Sequence, residues 1–131
     1  MNRVTRSLDH YLDESHVALR RLCGKFADEE IAPYAYEWEE AEAFPRELYK
    51  RAAEVGVLGD CFPEEVGGGG GDALHEVMIT EGLIRGGSSG VIVGLGSLGI
   101  GLPPIVQAGD PAQIDRFVRP TLAGDTISAL A

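Results

Sequence analysis

From Gly86 to Gly109 the chain runs 24 residues without a charged side chain. No other feature constrains the fold as much, because such a run has to be buried or covered by another surface. It holds eight glycines and the pair Pro103-Pro104. Its apolar part is therefore read as too short and too broken for a membrane span. Val91-Ile92-Val93 has strand propensity. Yet Val91 to Leu102 is long for a strand and has no period of two. The pattern predicts a buried, glycine-rich helix that stops before Pro103-Pro104.

The whole chain has 131 residues, enough for one domain with a core. Apolar residues make up 44% and charged residues 24%, so the chain is not disordered. The net charge of −10 speaks against nucleic acid or anionic lipid as a partner. Fourteen of the 21 acids lie between Asp13 and Glu65, so an acidic first half leads into a neutral second half. No apolar segment follows Arg3 and Arg6, which speaks against a secretory signal. Cys23 and Cys61 make neither a disulfide framework nor a zinc set, and free thiols in a cytoplasmic protein are expected.

Helical spacing dominates what remains. Leu19, Leu22, Cys23, Phe26 and Ala27 form one face, ended or kinked at Pro33. Residues 34–43 read as a second short acidic helix. After Phe44-Pro45 a helix with Leu48, Tyr49, Ala52, Ala53 and Val55 inward runs to Gly56. The glycines at 67–71 have no side chains to pack and read as a mobile surface turn. Asp72 is a helix N-cap, with Leu74, Val77, Met78 and Ile84 on the apolar face and a Glu81–Arg85 pair. Asp110-Pro111-Ala112-Gln113 is a capping box with proline at the first position. The helix behind it carries Ile114, Phe117, Val118, Thr121 and Leu122, with Pro120 straining its last turn. Thr126 to Ala131 turns β-like, with no partner strand in view. The expected fold class is all-α, an orthogonal or up-and-down domain of five to six helices.

The residues alone disclose no catalytic centre. Gly94-Leu95-Gly96-Ser97-Leu98-Gly99 matches a dinucleotide fingerprint, but lacks the strand–turn–helix setting that gives it meaning. No Lys-Ser or Lys-Thr follows the glycines at 67–71, which excludes a P-loop. His10, His16 and His75 have no spacing that suits a metal, and read as solvated or capping residues. No metal is expected.

Several phrases, taken in order, resemble one family. They are Phe26-Ala-Asp-Glu-Glu-Ile-Ala-Pro33, Phe44-Pro-Arg-Glu-Leu48, Ala53-Glu-Val-Gly-Val-Leu-Gly59 and Pro63-Glu-Glu-Val-Gly-Gly68. Pro104-Ile105, Ala108-Gly-Asp110, Gln113-Ile-Asp-Arg-Phe-Val-Arg-Pro120 and Leu122-Ala-Gly-Asp125 complete the set. Order and spacing resemble the N-terminal helical domain of the acyl-CoA dehydrogenases. That resemblance implies a flavoprotein with a helical N-terminal domain, a central β-domain and a C-terminal bundle. It would oxidise the α,β bond of acyl-CoA, with a carboxylate base and FAD as hydride acceptor. Residues 1–12 would be a tail, 13–125 the helical domain and 126–131 the start of a β-domain missing from this chain.

The resemblance carries over no catalytic residue. It implies that Ile92, Gly96, Ser97 and Ile100 share the face lining the acyl cavity, with helix packing as the plainer alternative. Leu130 and Ala131 are implied flavin contacts. The implied partners are an acyl-CoA substrate, an electron-transfer partner and, at full length, further copies of the chain. The chain by itself would be inactive. Acyl-CoA oxidases and flavin monooxygenases share the pattern. A non-catalytic helical interaction module is the alternative from another class.

Overall fold

The computed structural model describes residues 9–129. They form six helical runs, and no strand occurs among the described residues. The first run is α1 (Glu14–Phe26), which continues into a π turn at Ala27–Ile31. Then come α2 (Ala35–Ala41), α3 (Glu47–Glu54) and α4 (Ala73–Leu83). Next, α5 (Ser89–Gly96), α6 (Leu98–Gly101) and α7 (Pro103–Ala108) follow one another closely. The last run is α8 (Pro111–Gln113), a π turn at Ile114–Val118, and α9 (Arg119–Leu122). The all-helical expectation is therefore met.

α1 and α4 pack side by side and run parallel. His16 lies against His75 with the rings tilted, Arg20 pairs with Glu81, and Gly24 lies against Arg85. Gly82 makes the close approach possible. A Cβ there would overlap Cys23 Cβ and stand 2.9 Å from Arg20 O. Both helix N-termini lie at the same end, where their partial positive charges repel. Asp13 and Asp72 cap the two helices and set a carboxylate against each dipole.

The core joins Leu19, Cys23, Phe26 and Ile31 to Leu48 and Ala52 of α3, and to Val91, Leu95, Leu98 and Leu102 of the neutral run. Ser88 caps α5 through Val91 N–H and donates its own proton to Glu39. Several positions assigned inward by spacing are instead exposed: Leu22, Val55, Val77, Ile84 and Phe117. On α4 Met78 is buried as expected, and Gly82 and Leu83 complete the core face in place of Val77 and Ile84. Arg85 pairs with Asp28 at 2.5 Å, and Glu81 with Arg20 at 3.5 Å, so the predicted Glu81–Arg85 pair is replaced by contacts between helices.

Prolines act differently from expectation. The neutral helix does not stop at Pro103-Pro104; the helical run is Ser89–Ala108, because the prolines occupy the first positions of α7. There their missing N–H groups cost little. By length and composition alone this run could cross a membrane, which corrects the reading of it as too short and too broken. Its Val91, Leu95, Leu98 and Leu102 are nonetheless packed in the domain core. Both π turns end two residues before a proline, Pro33 and Pro120. Widening the ladder to i→i+5 relieves the clash between the proline ring and the carbonyl four residues back.

The glycines at 67–71 are held, not mobile. Gly68, Gly69, Gly70 and Gly71 donate their N–H groups to Pro63, Gly59, Phe62 and Asp60 carbonyls at 2.8–3.2 Å. Side chains at 68 and 71 would overlap Phe62 O and the Asp60 carboxylate. Backbone bonds replace side-chain packing, and glycine is what lets the strands of loop approach. Thr126 to Ala129 form no strand. With no partner strand among the described residues, Ser128 O accepts instead from Ser97 Oγ at 2.8 Å.

Two glycine substitutions should move stability in opposite directions. Gly82→Val should cost at least about 2 kcal/mol, since the clash is partly with backbone that cannot yield. Gly99→Ala meets nothing within 4 Å and should gain about 0.5–1 kcal/mol from the helix backbone. Urea unfolding midpoints check both signs; equal midpoints would contradict the packing described.

Candidate functional site

The neutral run and α4 flank a half-open cavity of about 410 Å³. Ile79 and Leu83 of α4 form one wall. Ile92, Leu95, Gly96, Leu98, Gly99, Pro103 and Val106 form another, and Val57, Leu58 and Phe62 close it from the loop below. Its few polar groups are Asp60, Cys61, Glu76, Thr80 and Gln107. An apolar cleft with a handful of polar groups is the usual form of a small-molecule site.

The glycines of the neutral run divide into two kinds. A Cβ at Gly94 would stand 2.6 Å from Phe44, so that glycine lets the helix meet the aromatic side chains of Phe44 and Tyr49. A Cβ at Gly96 or Gly99 would meet nothing within 4 Å, and both positions line the cavity. Glycine there leaves volume for a guest. The dinucleotide fingerprint is thus spread over α5 and α6, with Val91-Ile92-Val93 helical, and it has no strand–turn–helix setting.

Ile92 and Gly96 line the cavity. Ser97 is turned to the 126–129 segment through its bond to Ser128 O, and Ile100 is 61% exposed on the outer face. Leu130 and Ala131 lie outside the described residues. The cavity seam is 92, 96, 99, 103 and 106, at steps of three or four, with Leu95 beside it. It becomes visible in the sequence only when the helix is carried through Pro103-Pro104.

A second constellation lies at the shared N-terminal end of α1 and α4. His16 and His75 each complete a capping box, accepting the Asp13 and Asp72 backbone N–H groups at 3.1 and 3.2 Å. The expected capping role is therefore observed. Sequence spacing did not show that the fold brings the two imidazoles together, ring centroids 4.1 Å apart, with Asp72 between them. The His75 imidazole beside it, then the His75 backbone N–H, hold the Asp72 carboxyl well below the usual range. Asp13 is lowered too, first by the Ser15 hydroxyl. For a depressed carboxyl the stabilisation is complete above its unfolded value and lost as pH falls through the folded one. Both caps thus persist into mild acid.

Residues 13–125 match the family model described as acyl-CoA dehydrogenase, N-terminal domain. The chain is 34% identical over 121 residues to the short-chain specific acyl-CoA dehydrogenase, mitochondrial, of Rattus norvegicus, which covers 92% of this chain and 29% of the relative. It is 35% identical over 125 residues to benzylmalonyl-CoA dehydrogenase of Aromatoleum aromaticum, covering 94% and 33%. The crystal structure of a probable acyl-CoA dehydrogenase from Mycobacterium abscessus superposes with a TM-score of 0.85 at 46% identity, over 89% of this chain and 31% of that one. The chain spans about a third of the length of the relatives it matches.

Both thiols should react slowly. Burial, then Asp60, pushes the Cys23 thiol up to about 12, and burial with Asp60, Glu76 and Asp72 pushes Cys61 up to about 11. Near pH 8 about a thousandth of Cys61 would be thiolate, against about a quarter of an ordinary cysteine. Alkylation followed by mass spectrometry should be at least ~100-fold slower than for a free cysteine. It should accelerate as pH rises; rapid, pH-independent labelling would contradict the environment described.

Proposed function

Because the chain belongs to the acyl-CoA dehydrogenase family, we propose that it is the N-terminal helical part of an FAD-dependent enzyme that desaturates acyl-CoA thioesters between the α and β carbons. The observation that supports this most is the cavity beside Ile92, Leu95, Gly96 and Gly99, where absent side chains leave room along an apolar wall. An acyl chain is the guest that such a wall suits. Burying it removes about 0.8 kcal/mol of apolar exposure per methylene. Ile92 and Gly96 are the proposed substrate contacts, with Leu95 and Gly99 added. Ser97 steadies the 126–129 segment that adjoins the helix. Ile100, with Val93, presents an apolar outer face for the rest of the enzyme to cover.

FAD would accept the hydride. Among the described residues the glycine fingerprint is helical, so it offers no turn for the cofactor's pyrophosphate. The proposed flavin contacts of this chain are Leu130 and Ala131. The catalytic base is assigned to no residue here, and residues 1–131 alone are proposed to be inactive. An electron-transfer partner, assembly of copies and a cytoplasmic setting belong to the same proposal.

The test uses the enzyme that carries this domain. Gly96→Leu should lower kcat/KM for the longest acyl-CoA accepted by about tenfold or more, since a lost pocket methylene site is worth 1–3 kcal/mol. The shortest accepted substrate should be spared. A uniform change, or none, would contradict the assignment of the cavity.

A further inference from the structure

We propose that the shared N-terminal end of α1 and α4 is a binding site for a divalent transition-metal ion, with His16, Asp72 and His75 as its three protein ligands. One ligand atom from each residue lies within 4.8 Å of the others. His16 Nε2 is 3.1 Å from Asp72 Oδ1, and His75 Nδ1 is 2.9 Å from the same oxygen. Around a tetrahedral ion with bonds of about 2.0–2.1 Å, neighbouring ligand atoms stand about 3.3 Å apart. The two edges to Asp72 already stand near that length, and the His16–His75 edge, within 4.8 Å, closes by turning the imidazoles toward the ion.

Each imidazole is also held from behind. With the ion on Nε2, His16 Nδ1 carries the ring proton and donates to the Asp13 carboxylate, 2.9 Å away, instead of accepting the Asp13 N–H, and His75 Nε2 faces Ser15 Oγ at 3.1 Å. Ser15 in turn contacts Asp13. A metal-bound histidine characteristically has its far nitrogen oriented by a carboxylate or another polar group. His16 is buried while Asp72 is exposed, so the site opens to solvent on one side. An open coordination position follows from three protein ligands.

The electrostatics support a cation. His75 Nδ1 faces the Asp72 N–H at 3.2 Å and Asp72 Oδ1 at 2.9 Å. A bare nitrogen repels the carboxylate, and a protonated one confronts the amide, so one nitrogen cannot satisfy both. An ion between the lone pair and the carboxylate removes that repulsion, and the exposed Asp72 N–H then exchanges its bond to Nδ1 for one to water. Two imidazoles with one carboxylate select zinc, cobalt, nickel or copper over magnesium or calcium. The two helix dipoles oppose a cation, and Asp13 and Asp72 offset them.

The test titrates chelator-stripped protein with Zn2+, following its melting temperature, and with Co2+, following the visible absorption of a low-symmetry site. The proposal expects one saturable equivalent and a rise in melting temperature. Asp72→Asn keeps a good helix cap but removes the carboxylate, so it should fold as before and bind at least tenfold more weakly. His75→Gln should do the same, and Asp13→Asn should weaken binding about tenfold. His10→Gln should change nothing. Absence of a saturable equivalent, unchanged affinity in both Asp72→Asn and His75→Gln, or loss on His10→Gln would overturn the site.

Discussion

The contact on which the rest of the fold depends is backbone against backbone, at Gly82. It lets α4 lie on α1 at the level of Cys23 and Arg20. That single close approach fixes two things at opposite ends. At one end, Gly86 reaches Ile31, where a Cβ would stand 2.7 Å away, and the neutral run is delivered over the core. At the other end, both capped N-termini meet. Parallel helices pack with their dipoles opposed to each other's interest, and two aspartates offset the repulsion. Burial of Cys23, Met78 and Leu83 supplies the attraction.

The neutral run then works through the positions of its glycines. Gly94 brings the helix against the aromatic side chains, and Gly101 brings it against Ser128. Gly96 and Gly99 do the reverse, since nothing occupies the space in front of them. Close contact on one face and vacancy on another give a rigid wall beside a cavity. Rigidity matters for a site of this kind, because a wall that collapsed would lose its selectivity for the shape of its guest. The loop below is stiffened in the same manner, by amide groups of consecutive glycines bonded to the segment 59–63.

Much of this was legible in the sequence. Asp72 and Asp110 announce their helices through side-chain capping, which is a local property. The helical class is local too. What could not be read depends on partners far along the chain. Asp60 and Phe62 give the glycine loop its bonds, and His75 finds His16 and Ser15 through tertiary packing across as many as 60 residues. Pro103-Pro104 misled because a proline pair terminates one helix and begins the next with equal ease. That error hid the seam from Ile92 to Val106, and with it the positions that line the cavity beyond Ile92 and Gly96.

Gly96 and Gly99 are proposed to hold open an acyl site between α4 and the neutral run. Amide hydrogen exchange, in the enzyme carrying this domain, tests it most directly. Saturating acyl-CoA is added, and protection is read segment by segment. New protection is expected at 57–63 and 92–106, growing with acyl length, with the α1 segment unchanged. Protection confined to other parts of the domain, or none that depends on the acyl chain, would contradict it.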